Sequence, residues 1–306
     1  MPSDRRPATF EGRPLANPDE DIYDQGLRFD VETLLDRRRV LKLIGYSGLS
    51  AGLLAFVGCA PSSGSAASRS AGTSASAAAA ATSAAAASAA GTAASCDPIP
   101  EETAGPFPGD GSNGPDVLAM SGIVRKDIRS SFGGSSGTAH GVPLTIRFAI
   151  QDAANACAPL PGAAVYVWHC DRDGNYSMYS QAAANENYLR GVQATGSDGV
   201  ATFTSVFPAC YSGRWPHVHF EVYRNLDAAK DNANRIATSQ IALPEATCRE
   251  VYATDGYASS ITTLSQVSLQ SDMVFGDDGA VHERGAVTGS VTAGYTVELA
   301  VPVRTS

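Results

Sequence analysis

Histidine is scarce in this chain: five residues in 306, alongside two tryptophans and four methionines. Any site built on imidazole must draw on a handful of positions, and only His217 and His219 stand close together. Charge is sparse too, with 17% Asp, Glu, Lys and Arg and a net charge of −9. No long basic run occurs beyond the N-terminal region, so the electrostatic footprint of a nucleic-acid binder is missing and no such partner is expected. The apolar stretch at residues 43–57 is interrupted by Gly45, Ser47, Gly48 and Gly52. It falls short of the ~20 apolar residues of a spanning helix. Long amphipathic helical patterns are absent as well, which argues against a helical body.

What is present is Gly, Ser, Ala and Thr in abundance, with short alternating runs broken by Gly and Pro, the pattern of an all-β protein. Strands are predicted at 121–125, 143–151, 163–170, 200–203, 218–223, 237–243, 285–291 and 295–303, with a Gly/Ser loop at 132–141. A short helix is expected to open at Leu243-Pro244-Glu245 and run through Tyr252, because proline suits a first helical turn. The expected fold class is therefore a β-sandwich of about eight strands with one or two short helices, its site built by loops and strand ends.

Three segments are predicted. Residues 1–59 form an N-region and export signal, in which Arg37, Arg38 and Arg39 precede the weakly apolar stretch in the manner of a twin-arginine signal. Phe56-Val57-Gly58-Cys59-Ala60 resembles a bacterial lipobox, with Cys59 as the acylated first residue of the mature chain and a plain cleavage site as the competing reading. Residues 60–95 are almost wholly Ala, Ser, Gly and Thr with no apolar face, the composition of a flexible linker. Residues 96–306 form the β-sandwich domain. The expected location is outside the cytoplasm, on the outer face of the membrane or beyond it.

Within that domain, His217-Val218-His219-Phe220-Glu221-Val222-Tyr223 alternates like a strand. Residues two apart share a face, so Val218, Phe220 and Val222 point to a core while both imidazoles stand together on the other side. A bare His-x-His also suits a solvated strand face. Here, however, a strand at 165–170 runs into the turn carrying Tyr176, and Tyr211 lies in a Pro- and Gly-rich turn just before the histidines. Two phenols and two imidazoles make a donor set suited to Fe(III), phenolate being a hard oxygen ligand.

That combination resembles the intradiol ring-cleavage dioxygenases, the protocatechuate and catechol dioxygenase family. The resemblance rests on Trp168, Gly174-Asn175-Tyr176, Tyr188-Leu189-Arg190-Gly191-Val192-Gln193, the run from Gly199 to Phe203, Phe207-Pro208, Tyr211 and Arg214-Trp215-Pro216-His217-Val218-His219. Glu102-Thr103-Ala104-Gly105-Pro106-Phe107 is similar to the family's segment at the lip of the substrate pocket. The resemblance implies a non-haem Fe(III) held by Tyr176, Tyr211, His217 and His219, with a catechol-type diol and O2 as substrates. It implies cleavage between the two hydroxylated carbons, with Tyr211 yielding its place to the substrate and taking a proton, and Arg214 facing the ring. The chain departs from better-known members in the short gap between Tyr211 and His217 and in Ala209-Cys210 where Pro-Gly is common. The helical dimerisation segment of catechol-type members is not found, which leaves the oligomeric state open.

If both tyrosines reach one metal, Cys170 and Cys210 come close, and a Cys170–Cys210 bridge is expected, with Cys157–Cys248 as a second pairing; Cys96 completes the set beyond Cys59. His169 is expected to be packed or at the surface, His140 and His282 solvated, and Trp168 part of the core. Arg190 and Gln193 fit either a structural or a substrate-facing role, and Thr103, Asp127 and Arg129 are candidate pocket residues. The competing function is an exported β-sandwich lipoprotein that binds aromatics or carbohydrates with a non-catalytic or non-iron metal site; a third reading keeps the site but holds copper or zinc there for a different redox or hydrolytic role.

Overall fold

The structure is a computed structural model that describes residues 96–305 and the backbone of one small ladder near the N-terminus. That ladder pairs β1 (Thr9–Phe10) with β2 (Arg13–Pro14) antiparallel. The expected export signal, Cys59 and the whole 60–95 linker lie outside the described residues. The chain divides into two compact units, Met1–Ala89 and Ala90–Ser306. Among the described residues no helix is long and apolar enough to cross a membrane.

The C-terminal unit carries two sheets. The first joins β3 (Pro143–Asp152), β4 (Ala158–Pro159), β7 (Val200–Val206), β10 (Ala286–Ser290) and β11 (Gly294–Val303). In it β11 runs parallel to β3, while the other pairings are antiparallel. The second has the order β6 (Arg190–Ala194), β5 (Ala164–Trp168), β8 (His217–Tyr223) and β9 (Arg235–Ala242), antiparallel throughout.

Alternation explains how the sheets meet. In β3 every second residue, Leu144, Ile146, Phe148 and Ile150, is buried, and from the facing sheet Val165, Val167, Val218, Phe220 and Val222 join the same apolar cluster. Phe148 touches Phe220 across the gap at 4.8 Å between ring centroids. Each such side chain contributes roughly 1.5–3 kcal/mol by leaving water. Unlike an ordinary half-solvated antiparallel sheet, the second sheet is covered on its outer face as well. There Tyr166 and Trp168 pack with Val117, Leu118 and Tyr176 in a second cluster.

The all-β expectation holds, with two differences. Residues 121–125 form no strand, only an isolated bridge from Val124 to Val192, and β6 was not foreseen. Two short α-helices follow β9. The first, α1 (Glu245–Tyr252), starts after an extended Pro244 and is braced by the Glu245–Arg249 pair one turn apart at 2.6 Å. The second, α2 (Ala258–Leu264), has the sequence ASSITTL, rich in poor helix formers. It is held by packing instead: Ser260 and Leu264 are buried, and the Ser260 hydroxyl accepts the Cys210 N–H at 3.0 Å.

The disulfide expectation is overturned. Cys96 pairs with Cys157, while Cys170, Cys210 and Cys248 are free and buried. The Cys170 thiol turns to the Ala209 carbonyl at 3.8 Å and the Cys210 thiol to the Arg214 carbonyl at 3.6 Å, so neither points at the other. Cys248 sits in the apolar cluster with α1.

Candidate metal centre

The outer face of β8 presents His217 and His219, 2% and 3% exposed. Trp168, opposite His219 in the β5–β8 register, lies flat on its ring at 4.9 Å and 5°. Beyond β5 the chain turns tightly: Asp171 Oδ1 accepts the N–H groups of Asp173 and Asn175, and Gly174 adopts φ +89, where a side chain would be strained. This turn delivers Tyr176 over the two imidazoles. The segment after β7 delivers Tyr211, whose carbonyl accepts the Arg214 N–H in a compact turn at residues 211–214.

The four side chains converge. Tyr176 Oη is 3.2 Å from Tyr211 Oη and 3.3 Å from His217 Nε2. His217 Nε2 is 3.1 Å from Tyr211 Oη and 3.1 Å from His219 Nε2. Donors about 2.0 Å from one tetrahedrally ligated ion would stand ~3.3 Å apart. The mutual separations of Tyr176, Tyr211 and His217 fit that spacing, and His219 Nε2 stands at the same distance from His217. Among the described residues no group of three or more His, Cys, Asp or Glu is placed to hold a metal. This set has two such residues and takes its other two donors from tyrosine.

Electrostatics points the same way. The Trp215 carbonyl can only accept, so His217 Nδ1 donates to it at 2.5 Å and Nε2 carries a lone pair into the site. Burial, then the Arg214 charge, holds His217 well below its ordinary value; for His219 burial is followed by His217 and Arg214. Two neutral imidazoles with facing nitrogens need a proton or a cation between them. Burial also pushes the Tyr211 phenol up to about 12, against the opposing pull of Arg214, and lifts Tyr176 well above 10, with Tyr211 adding to it. A polyvalent cation reverses that penalty by stabilising both phenolates.

Arg214 is braced rather than free. Nε pairs with Asp272 at 3.0 Å, Nη2 donates to Gln240 Oε1 at 2.6 Å, and Nη1 lies 3.4 Å from His217 Nε2. The Gln240 amide donates to the Thr103 carbonyl at 2.8 Å, tying in the strap of residues 103–109. Gly105 of that strap sits so close to His219 that an added Cβ would stand 3.3 Å from the ring. Phe107 packs on Tyr176 at 5.0 Å.

Other expected residues fall as follows. His169 is buried between the Cys170 carbonyl and the Ser205 hydroxyl, at 2.7 Å from each, and His140 and His282 are exposed. Arg190 is buried beneath the strap, while the Gln193 amide donates to the neighbouring Val192 carbonyl. Thr103 joins the strap, but Asp127 and Arg129 pair with each other in solvent at 2.6 Å. The sequence reading missed Gln240 and Asp272 as braces of Arg214. Gln240 lies two residues from Thr238 on the same face of a strand that also holds Arg235 and Ser239, so it did not stand out; Asp272, in a Ser- and Asp-rich loop, had no signal.

Comparison with known proteins follows this geometry. A family model described as Dioxygenase matches residues 113–253, the span that includes both tyrosines, Arg214, both histidines and Gln240. The chlorocatechol 1,2-dioxygenase of Rhodococcus opacus is 42% identical over 53 residues, 17% of this chain and 21% of that protein, so the match spans about a fifth of that relative. An intradiol ring-cleavage dioxygenase from Tetranychus urticae superposes with a TM-score of 0.52 at 23% identity, covering 68% of this chain and 95% of that one. Catechol 1,2-dioxygenase from Pseudomonas arvilla C-1 superposes more loosely, with a TM-score of 0.40 at 19% identity over 68% of this chain and 62% of that one. The matched segment is similar to dioxygenases, and the fold is of the intradiol type.

Proposed function

We propose that the chain is a non-haem Fe(III) dioxygenase that opens catechol-type rings between the two hydroxylated carbons, with O2 as co-substrate. The observation that carries this reading is the clustering of Tyr176, Tyr211 and His217 within 3.1–3.3 Å of one another, with His219 3.1 Å from His217. When bound there, ferric iron supplies Lewis acidity toward a chelating diol. Tyr211 is less buried than Tyr176 and stands beside exposed Ser212 and Gly213, so its Oη is the atom suited to take a substrate proton. His217 and His219, neutral through burial, stay as nitrogen donors. Arg214, held rigid by Asp272 and Gln240, puts a fixed positive charge where the ring gains anionic character. The strap at residues 103–109 keeps water from the His219 side.

The turn at residues 211–214 is short, and a Cβ on Gly213 would meet nothing within 4 Å. That open side favours substituted or larger catechols over catechol itself. The N-terminal residues add the proposal of export and tethering through an acylated Cys59, checked by palmitate labelling of the wild type and of Cys59→Ser; label that persists in the variant removes the anchor.

The decisive experiment is an optical spectrum of purified protein with elemental analysis, repeated with a panel of catechols under air. Stoichiometric iron, a tyrosinate-to-iron absorption band and ring-opened diacid products are expected. A colourless protein without metal would instead support a binding lipoprotein, and copper or zinc in place of iron a different redox or hydrolytic role for the same site.

A further inference from the structure

Arg190, at the start of β6, is 1% exposed, and among the described residues it forms no ion pair with a carboxylate. A buried guanidinium without a counter-charge is tolerated only when its five N–H groups are satisfied. Here they are. Nη1 donates to the Pro108 carbonyl at 2.6 Å and to Tyr166 Oη at 3.0 Å. Nη2 donates to the Phe107 carbonyl and to the Ser177 carbonyl, both at 2.9 Å, and Nε donates to the Ser177 hydroxyl at 3.1 Å.

Besides Tyr166 of β5, these acceptors come from two different parts of the site. Phe107 and Pro108 belong to the strap whose Gly105 end closes over His219, and Ser177 follows Tyr176. The strap is locked further along by the same neighbourhood. The Gly109 N–H donates to Tyr179 Oη at 2.8 Å, Tyr179 Oη donates to Asn113 at 2.7 Å, and the Asn113 amide donates to the Pro106 carbonyl at 2.7 Å. The Arg190 guanidinium lies 5.5 Å over the Tyr179 ring, and a Cβ on Gly109 would come within 2.7 Å of its Nη1.

We propose that Arg190 is a positioning residue: its guanidinium fixes the strap and the Tyr176 turn against each other, so that Phe107 and the pocket wall are set before substrate arrives. The inference rests on the proposed function for what the pocket holds, but the clamp itself is a property of the chain without any ligand. Lysine cannot reproduce it, since one ammonium cannot reach acceptors spread around a planar fork. A clamp that preorganises the wall acts on substrate binding more than on the chemical step, so its loss raises KM while sparing kcat.

The test compares wild type, Arg190→Lys, Phe107→Ala and their double variant in the full chain. Hydrogen exchange of the Gly109 amide is expected to rise about tenfold or more in Arg190→Lys, while amides of β3 and β11 keep their rates. In the metal-loaded protein, KM for a turned-over catechol rises roughly tenfold with kcat within about threefold. Arg190→Lys and Phe107→Ala are expected to be non-additive in KM, as for two parts of one clamp. Wild-type exchange at Gly109, uniform acceleration through β3 and β11, or additive effects would each overturn the proposal. If Arg190→Lys does not fold, Gly109→Ala decides, because it presses the strap away from an intact guanidinium; unchanged strap exchange there refutes the clamp. Should no catechol be turned over by the wild type, the function reading fails and the exchange measurement still judges Arg190.

Discussion

Truncating Asp272 tests the wiring of the site most directly. Its Oδ2 accepts from Arg214 Nε at 3.0 Å and from the Trp215 N–H at 2.5 Å, and its Oδ1 accepts the N–H groups of Val274 and Phe275 at 2.8 and 3.0 Å. The side chains of Asp272 and Arg214 are 0% and 9% exposed. Asp272→Ala therefore leaves a buried guanidinium with its charge unpaired, a loss of ~3–5 kcal/mol in such settings. It also orphans three backbone N–H groups, at ~1–3 kcal/mol each when nothing relaxes. Relaxation and water entry reduce the sum, so ~4 kcal/mol or more is expected. Asp272→Asn keeps the shape and one oxygen but turns an NH2 toward either Arg214 and Trp215 or the Val274 and Phe275 amides, for a loss of ~2 kcal/mol. Asp127→Ala, which breaks the solvent-exposed pair with Arg129, serves as the control at under ~1 kcal/mol. Urea unfolding followed by tryptophan emission reads all three, because Trp168 and Trp215 are both buried. If Asp272→Ala falls within ~1 kcal/mol of Asp127→Ala, Arg214 is not held as described and the argument for its fixed charge is wrong.

Four further outcomes are expected. Tyr176→Phe and His219→Ala each remove one donor and should lose stoichiometric iron by elemental analysis; a variant that keeps full iron and activity takes that residue out of the set. The Glu102 and Glu283 carboxyls are each pushed up to about 7, by burial first and then by neighbouring carboxylates, Glu283 for Glu102 and Asp278 for Glu283. Folded values above the ordinary 4.5 mean a contribution intact below about pH 4.5 and lost as pH rises through about 7. Glu283→Gln should therefore flatten the fall in urea stability from about pH 5 to about pH 8, and an unchanged slope would discard the pair as its source. Reducing Cys96–Cys157, which closes a separation of 61 residues, should cost ~4 kcal/mol by unfolded-state entropy. Alkylation of native protein should spare Cys170, Cys210 and Cys248 because all three are buried, and their rapid labelling would contradict the packing.

Much of the fold was legible because the alternation is regular. The β3 and β8 runs carry period-2 apolar faces that assign core and site sides from residue order alone. The strand β6 escaped notice because Arg190-Gly191-Val192-Gln193-Ala194 puts a buried cation and a glycine where a strand would show apolar residues. A Cβ on Gly191 would collide with Ile128 and crowd Arg125, so a close-packed neighbour, not a propensity, keeps glycine there. The helix α2 was invisible for a related reason: its Ser and Thr residues are held by Tyr257, Ser260 and Leu264 against the body. At the site, the tyrosines and histidines could be named, but the braces could not. Asp272 lies 58 residues from Arg214, and nothing in its loop marks it as the partner of that arginine. The cysteine pairing failed because proximity was inferred from the tyrosines beside them, while the thiols themselves face carbonyls.

The doubly covered second sheet links these observations. Had its outer face been open to water, His217 and His219 would titrate near their ordinary values and the tyrosines near theirs. Covering that face with the strap, the Tyr176 turn and the Arg214 loop strips water from four donors at once. Desolvation then penalises protonated imidazole and ionised phenol alike, leaving neutral groups in hydrogen-bond contact at 3.1–3.3 Å. Arg214, the nearest cation, is held by Asp272 and Gln240 through Nε and Nη2 and reaches the site with Nη1, 3.4 Å from His217 Nε2. In this state the four groups are neutral and joined by hydrogen bonds; a positive ion at their centre would favour release of the phenol protons, which ties the packing of this sheet to the chemistry proposed for it.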